Sequence, residues 1–206
     1  MKKLENHDYV AGIDEAGRGP LAGPVVAATV VLNPEKRITG LNDSKVLSAK
    51  VREELAAEIM DRATYWAVAQ ASVEEIDELN ILQASLLAMQ RSCLLLTKYS
   101  GISIQRVLVD GTHTPDLPHP CEAVIKGDSS VPDISAASIV AKVTRDHIMR
   151  DASRFFPEYG FDEHKGYATR AHLNALQEYG PCKLHRHSFQ PVHEAKQFLF
   201  RAYPVD

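Results

Sequence analysis

YVAGID at residues 9–14 and PVVAATVVL at residues 24–32, two apolar runs near the start of the chain, decide the fold. Their aromatic and β-branched residues favour strands, and the glycine-rich segment between them favours a turn. A later run, RVLVDG at residues 106–111, is also apolar and also ends in an acid. We therefore predict two neighbouring antiparallel strands from the first two runs and a further, buried strand from the third.

Helical patterns alternate with these strands. Ser48 can cap a helix that continues to about Arg62, and residues 72–75 match a capping box at the start of another helix. Apolar spacing predicts further strands at residues 65–72 and 121–126, and further helices at residues 80–98, 134–151, 170–179 and 192–200. This order predicts an α/β protein with a mixed β-sheet flanked by helices, with additional helices from about residue 168, in a single domain over residues 1–206.

The composition limits the possible classes of protein. No run of about 18 uncharged apolar residues is present, and the polar, acidic N-terminus is unlike a signal peptide. Three widely spaced cysteines suit a reducing cytoplasm and match neither a disulfide framework nor a zinc motif. A net charge of −4 does not indicate a generally basic surface, so any contact with nucleic acid has to use local charge. We expect a soluble, cytoplasmic monomer that does not bind membranes.

Acidic residues stand where the apolar runs stop. Asp14 and Glu15 end the first run, Asp110 ends the third, and Asp128 comes just before a helix. Any one of these acids is explained more simply as a turn residue, but a mixed sheet brings strand ends together at one edge. Because adjacent residues of a strand point to opposite faces, Asp14 and Glu15 can serve one site only if the chain turns at or near Glu15.

Clustered carboxylates repel one another unless a cation neutralises them. Oxygen ligands without histidine or cysteine favour Mg²⁺ or Mn²⁺, and two such ions can drive hydrolysis of a phosphodiester. Two other readings stay open from the residues alone. One is a nucleotide-binding module that uses the glycine-rich loop, although the loop lacks the GxxxxGK[ST] arrangement. The other is a non-catalytic metal-binding protein.

An ordered set of motifs resembles the ribonuclease HII family. It begins with GIDEAGRGPLAG at residues 12–23 and spans residues 9–192. The later motifs are DSK at 43–45, EIDELNIL at 75–82, VDG at 109–111, KGD at 126–128, AASIVAKVTRD at 136–146, HKGY at 164–167 and HRHSF at 185–189. Each short motif is weak by itself, but the complete ordered set is specific.

The resemblance implies a ribonuclease H-like fold and an endonuclease that hydrolyses the RNA-containing strand of RNA/DNA hybrids. It also implies cutting 5′ of single ribonucleotides embedded in duplex DNA, which leaves a 3′-hydroxyl and a 5′-phosphate and serves ribonucleotide removal in replication and repair. Another ribonuclease H-like nuclease, such as a junction resolvase, would share the acids but would not explain the glycine loop together with Tyr167.

The resemblance also implies roles for individual residues. The metal ligands, for two Mn²⁺ or Mg²⁺ ions, would be Asp14, Glu15, Asp110 and Asp128, with Asp146 in a supporting position. The substrate contacts would be Gly17, Arg18 and Gly19 on the 2′-hydroxyl and Tyr167 on the sugar of the following nucleotide. The candidate phosphate contacts are Lys45, Lys142, Arg145 and Lys165, although each alone is more simply a surface charge.

Two further features are less specific. The histidines of the later motifs, His164, His185 and His187, have no zinc spacing, so we expect local hydrogen bonds or phosphate contacts from them. QFLF at residues 197–200 resembles a short sliding-clamp-binding peptide. A helix that packs its phenylalanine and leucine side chains on the core explains this stretch more simply.

Overall fold

A five-stranded mixed sheet forms the framework of the computed structural model, which describes residues 9–202, with side chains to residue 196. Its strands, in the order β3-β2-β1-β4-β5, are β1 Tyr9–Ala16, β2 Val25–Val31, β3 Tyr65–Ala71, β4 Ile104–Asp110 and β5 Cys121–Val124. β1 pairs with β2 antiparallel, as predicted, and it pairs with β4 parallel. β4 also pairs with β5 parallel, so the predicted mixed sheet is confirmed.

Helices connect and follow these strands. Within residues 9–202 they are α1 Ala49–Arg62, α2 Val73–Leu79, α3 Ile81–Ser100, α4 Gly127–Ser130, α5 Pro132–Phe155, α6 Phe161–His164, α7 Arg170–Tyr179 and α8 Gln190–Ala202. None of the helices in this described part of the chain is long and apolar enough to cross a membrane.

The two helix starts predicted from capping residues are confirmed. The Ser48 hydroxyl accepts a hydrogen bond from the backbone N–H of Val51, and Ser72 and Glu75 form the predicted capping box. The sequence did not predict α4, α6 or the 3₁₀ turn Pro157–Tyr159. Elements of three or four residues are too short to produce a repeating apolar pattern, so their sequences carry no periodic signal.

Contacts within the described chain cluster in two compact units. The first unit comprises residues 9–16, 26–70 and 86–143, and the second comprises residues 17–25, 71–85 and 144–202. The assignment of the whole chain to a single domain stays a prediction. The side chains of the clamp-like stretch at residues 197–200 lie outside the described residues.

The first unit packs α5 closely against β1. A Cβ atom at Gly12 would lie 2.2 Å from the carbonyl carbon of Asp133, so only glycine lets the first turn of α5 approach β1 this closely. The Asp133 carboxylate accepts a hydrogen bond of 2.9 Å from the backbone N–H of Leu32, just after β2. Buried apolar residues of β1, β2, α1 and α5 form the core between these elements.

The second unit has its own apolar contacts. One cluster contains Met149, Tyr159 and Phe161, and another contains Leu176 and Val192. The segment of residues 17–25 runs among these clusters as irregular backbone, with Leu21 and Ala22 buried in them. The unit therefore buries a loop, and the polar backbone groups of that loop need partners.

We expect Gly12→Ala to lower the free energy of unfolding by about 3 kcal/mol or more, because the added methyl group overlaps backbone atoms that cannot move independently. Urea denaturation of both proteins measures the difference. The matched control is Gly101→Ala, where the added Cβ would meet open space and only the positive φ of 67° opposes the change. That control should cost about 1–2 kcal/mol. Equal effects of the two substitutions would contradict the close approach of α5 to β1.

Candidate active site

The parallel strands bring the predicted acids to one end of the sheet. Ile13 of β1 lies opposite Val109 of β4, so Asp14 and Asp110 each occupy the next position along their strands. Asp110 in turn lies opposite Val124, the last residue of β5. Three residues later the chain enters α4, which carries Asp128. The strand order therefore explains why acids that are far apart in sequence meet.

Three carboxylates form a close group. One oxygen atom from each of Asp14, Asp110 and Asp128 lies within 4.8 Å of the others. Asp14 and Asp128 are buried, with 4% and 7% of their surfaces exposed, and Asp110 is half-buried. The backbone N–H of Asp128 donates a 3.3 Å hydrogen bond to Oδ1 of Asp110, which ties the start of α4 to the end of β4.

Burial and mutual repulsion disfavour the charged form of these acids. Burial raises the pKa of Asp14 well above its ordinary value, and the negative charges of Glu15 and Asp110 raise it further. Burial also raises the pKa of Asp128, with repulsion from Asp110 and attraction to Lys45 as opposing contributions. A divalent cation would remove this repulsion. Carboxylate oxygens without histidine or cysteine in the group are the ligands that Mg²⁺ and Mn²⁺ prefer.

Lys45 supplies the positive charge beside this group. Its Nζ lies 3.7 Å from Oδ2 of Asp128, while 75% of its side chain is exposed. Burial lowers the pKa of Lys45, but the carboxylates of Asp43, Asp14, Asp128 and Asp110 outweigh burial, so its pKa is raised. Lys45 therefore keeps its charge next to the carboxylates and remains accessible from solvent.

Glu15 is placed differently from the expectation. β1 does not turn at Glu15: the strand continues to Ala16, and Glu15 is paired with Ala27. Asp14 and Glu15 are thus consecutive residues of a regular strand and point to opposite faces. The turn comes at Gly17, where φ is +102°. The carboxylate of Glu15 is outside the group of three, although its charge and its backbone N–H both act on Asp14. A role for Glu15 as a metal ligand stays a prediction.

The predicted substrate-binding residues lie in the second unit. Arg18 and Gly19 are exposed, and a Cβ atom at Gly19 would lie 3.7 Å from Cε1 of Tyr167. Tyr167 is itself 44% exposed. The structure therefore brings Gly19 and Tyr167, which the sequence separates by almost 150 residues, next to each other on an accessible surface.

The burial of Arg145 contradicts the prediction that this residue contacts a phosphate group. It is fully buried, and its guanidinium donates to the backbone carbonyls of Pro24, Lys165 and Ala22, each at 3.0 Å. Burial lowers its pKa to about 10. A guanidinium that is enclosed and already bonded in this way cannot reach a phosphate group without unfolding its surroundings.

The other polar residues of the prediction have mixed placements. Lys142 and Asp146 lie half-buried on α5, and Asp146 contributes to the field at Arg145. Lys165 has a left-handed backbone with φ of +52°, and its Nζ donates to the carbonyl of Asp162. Phosphate contacts by Lys142 and Lys165 and a supporting role for Asp146 stay predictions.

Histidines of the second unit make local hydrogen bonds, as predicted for His164 and His185; Nε2 of His164 lies 2.7 Å from the carbonyl oxygen of Tyr159, and His185 belongs to a chain of such bonds. The backbone N–H of Cys182 donates to Nδ1 of His185, and Nε2 of His185 lies 3.0 Å from Nε2 of His172. Nδ1 of His172 lies 2.9 Å from the carbonyl oxygen of Tyr167, so it must be the protonated nitrogen, and His185 then donates to His172. Both rings are neutral in this arrangement.

Sequence reasoning missed His172 and the buried role of Arg186. His172 lies on an amphipathic helix with no motif around it, so the sequence carried no signal for it. Arg186 stands in the HRHSF motif, which the sequence marked without assigning the arginine a function. The side chain of Arg186 is fully buried and contacts the loop of residues 17–23.

The chain is similar to known proteins over most of its length. The sequence model of the family Ribonuclease HII matches residues 11–192. A ribonuclease HII of Dechloromonas aromatica is 57% identical over 183 residues, which cover 89% of this chain and 91% of that protein.

Solved structures are similar as well. Ribonuclease H2 from Pyrococcus horikoshii OT3 has a TM-score of 0.76 and 27% identity, over 95% of this chain and 100% of the other. A chain of the PCNA:RNase HII complex from Archaeoglobus fulgidus has a TM-score of 0.71 and 28% identity, over 88% and 95%. These structures confirm the predicted ribonuclease H-like α/β fold.

We expect Mn²⁺ to raise the thermal midpoint of the protein and to lose this effect in Asp110→Asn. At saturating ion, a stabilisation of about 1–3 kcal/mol is typical of ligand linkage. Without metal, Asp110→Asn should be at least as stable as the parent, because the substitution relieves repulsion within the group. Differential scanning fluorimetry with and without Mn²⁺ measures both effects.

The matched control for the metal measurement is Asp116→Asn, which removes the same charge from an exposed position. This variant should keep the full shift of the thermal midpoint. A shift of equal size in Asp110→Asn would show that Asp110 does not contribute to metal binding.

The histidine pair predicts how stability depends on pH. Burial, followed by repulsion from His172, lowers the pKa of His185 from 6.5 to about 3, and burial also lowers the pKa of His172. Well above pH 6.5 both rings are neutral whether the chain is folded or unfolded, so pH has no effect on stability through them. As the pH falls below 6.5, the two histidine rings bind protons in the unfolded chain but stay neutral in the folded chain. Each of the two rings therefore lowers the free energy of unfolding by up to about 1.4 kcal/mol for each unit that the pH falls.

Urea denaturation between pH 7.5 and pH 5 measures this loss, and the difference between the parent and a histidine variant cancels the contribution of the carboxylates, including Asp14 and Asp128 with their raised pKa values. We expect the slope to shrink in His185→Gln and to persist in His113→Gln, which replaces an exposed histidine of the first unit. An unchanged slope in His185→Gln would contradict the neutral, buried histidine pair.

Proposed function

The chain belongs to the ribonuclease HII family, RNase H endonucleases that act on RNA/DNA substrates with divalent metal ions, and from this premise we propose its specific reaction. It cuts the RNA-containing strand of RNA/DNA hybrids and cuts duplex DNA on the 5′ side of a single embedded ribonucleotide. The products carry a 3′-hydroxyl and a 5′-phosphate, and the ribonucleotide stays on the downstream fragment. This reaction begins the removal of ribonucleotides left in DNA by replication.

The group of Asp14, Asp110 and Asp128 is the observation that supports this proposal most strongly. We propose that these three residues, together with Glu15, hold Mn²⁺ or Mg²⁺, with two ions in the catalytic complex. When bound, such ions activate a water molecule and stabilise the leaving oxygen of the phosphodiester. Asp14 is buried, and the charges of Glu15 and Asp110 act on it, so it would be one of the residues that hold the ions.

We propose that basic residues hold the phosphate backbone of the substrate. Lys45 is the best-supported of these, because its exposed side chain ends 3.7 Å from Asp128 and can move to a bound phosphate. Lys142 and Lys165 remain further candidates, whereas Arg145 is excluded by its burial. Contacts of this kind orient a duplex without reading its sequence.

Recognition of the ribonucleotide requires a contact with its 2′-hydroxyl, the group that distinguishes RNA from DNA. We propose that Gly17, Arg18 and Gly19 make this contact and that Tyr167 packs on the sugar of the following nucleotide. The exposed Arg18 and Gly19 and the neighbouring ring of Tyr167 support this assignment. Gly17 carries φ of +102°, which a residue with a side chain rarely adopts, so the loop depends on glycine there.

A sliding clamp is a further candidate partner. A solved relative was studied in complex with PCNA, and residues 197–200 of this chain resemble a short clamp-binding peptide. We propose that the enzyme acts as a monomer and that a clamp, where present, brings it to replicated DNA.

Cleavage of two labelled duplexes tests the proposed reaction. They are identical except for one embedded ribonucleotide, and each is incubated with Mn²⁺, with Mg²⁺ and with EDTA. We expect metal-dependent cutting of the ribonucleotide duplex alone, with the cut on the 5′ side in a sequencing gel. Cutting of both duplexes would favour a general ribonuclease H-like nuclease, and a cut on the 3′ side would contradict the proposed reaction.

Asp110→Asn should lower cleavage by about a thousandfold or more, since loss of metal assistance removes several kcal/mol of transition-state stabilisation. Asp116→Asn should cleave like the parent. If Asp110→Asn keeps its activity, the acids have a structural role instead.

A further inference from the structure

The buried side chain of Arg186 binds the loop of residues 17–23 through backbone carbonyls. It is 0% exposed and makes five hydrogen bonds to that loop. Nε donates to Gly23 at 3.0 Å, Nη1 donates to Arg18 at 3.0 Å and Pro20 at 2.7 Å, and Nη2 donates to Gly17 at 2.6 Å and Gly23 at 2.8 Å. The three nitrogen atoms of one guanidinium therefore serve four carbonyl groups of one loop.

Burying a charged side chain costs free energy, so the hydrogen bonds of Arg186 have to offset that cost. Burial lowers the pKa of Arg186 to about 9, and repulsion from Arg145 adds to the effect. The side chain still carries its charge at neutral pH, with the ring of Phe189 centred 5.1 Å from its Cζ. Apolar residues of similar volume often fill such a position at least as well as a buried ion. A planar group with five N–H donors is required here because the irregular loop buries carbonyls that no strand satisfies.

The bonds to Arg186 also fix the direction of the neighbouring N–H groups. In a trans peptide the N–H of one residue points opposite to the carbonyl of the residue before it. The carbonyls of Gly17 and Arg18 point at Arg186, so the N–H groups of Arg18 and Gly19 point away from it. Both residues are exposed, so the N–H groups that point away from Arg186 belong to an exposed part of the loop.

Other contacts hold the same loop in place. A Cβ atom at Gly17 would lie only 2.1 Å from Nε of Arg145, so the side chain of Arg145 packs directly against Gly17. The backbone N–H of Leu21 donates to the carbonyl of Gly166 at 2.8 Å, one residue before Tyr167. The N–H groups of Arg18 and Gly19 and the exposed ring of Tyr167 therefore belong to one surface of the second unit, and hydrogen bonds hold its backbone in place.

We infer that Arg186 is a positioning residue for ribonucleotide recognition, because it turns the N–H groups of Arg18 and Gly19 toward a bound 2′-hydroxyl. This inference rests on the proposed function, in which the glycine loop contacts that hydroxyl. Arg186 does not touch the substrate in this arrangement. It acts only through the direction of two peptide groups.

Binding to two duplexes separates this role from a merely structural one. Asp110→Asn, in which cleavage is expected to be lost, serves as the background, and fluorescence anisotropy gives Kd for a duplex with one ribonucleotide and for its all-deoxy counterpart. The ratio of the two Kd values measures recognition of the 2′-hydroxyl. We expect a ratio of about ten in the background, the size that one well-made hydrogen bond can give.

Adding Arg186→Lys should bring this ratio close to one while Kd for the all-deoxy duplex stays within about twofold. Lysine keeps the charge but has a single nitrogen atom, which cannot bind four carbonyls in a fixed plane. A general structural defect would weaken both complexes equally and leave the ratio unchanged. A folded Arg186→Lys protein that keeps the full ratio would overturn the inference.

Tyr159→Phe in the same background is the matched control. The buried hydroxyl of Tyr159 donates to the carbonyl of Gly180 at 2.7 Å, a bond of the same kind in the same unit but on another segment. Its removal should lower stability by about 1 kcal/mol and leave the Kd ratio intact. If this control also loses the ratio, the loss is not specific to the bonds that Arg186 makes, and the role of Arg186 is rejected.

Two further outcomes are decided by the same assay. If Arg186→Lys is unfolded by its melting curve, Arg186→Gln replaces it, since one glutamine amide offers two N–H donors in place of the five of arginine and cannot serve four carbonyls. A loss of the ratio would then support the inference, and an unchanged ratio would overturn it. If the background protein itself shows no preference for the ribonucleotide duplex, the proposed recognition by the glycine loop fails, and the inference fails with it.

Discussion

Parallel pairing of β1 with β4 fixes the position of the carboxylates on which the candidate site depends. With Ile13 opposite Val109, Asp14 and Asp110 occupy the next positions on neighbouring strands. A slip of one residue would turn one of the two side chains to the other face of the sheet. The pairing also holds two like charges together, and their repulsion opposes folding when no cation is bound. Packing of α5 on β1 at Gly12 supplies apolar contacts that offset this repulsion.

The strands and the longer helices could be predicted from the sequence because their apolar residues repeat with the period of the structure. The capping box of Ser72 and Glu75 added a local signal for a helix start, independent of tertiary contacts. Short elements gave no such signal, and α4 and α6 were missed for that reason. The end of β1 was also predicted too early, since an acid at position 15 looks like a turn residue. Pairing with β2 carries the strand past Glu15 to Ala16.

The candidate site was predictable where its chemistry depends on residue type and unpredictable where it depends on burial. Asp14, Asp110 and Asp128 share a residue type, and the sequence indicated that the first two lie near strand ends and the third near a helix start. Arg145 was predicted as a phosphate contact because arginine usually lies at the surface, whereas here its charge is enclosed by carbonyl groups. Whether an arginine faces solvent or a buried loop depends on contacts between distant segments, and a single sequence does not encode these as a local pattern.

The buried arginines bear on how an acidic protein can recognise a nucleic acid. A cationic side chain at the surface would attract phosphate groups regardless of which sugar they join, so it could not distinguish RNA from DNA. Neutral backbone N–H groups attract phosphate far less and can be placed against a hydroxyl. Arg186 is enclosed behind the loop and donates hydrogen bonds to the carbonyls of Gly17 and Arg18. These bonds fix the direction of the N–H groups of Arg18 and Gly19. Under the proposed function, selectivity for the sugar then follows from keeping these guanidinium groups away from the substrate, while the exposed Lys45 is left to hold the backbone.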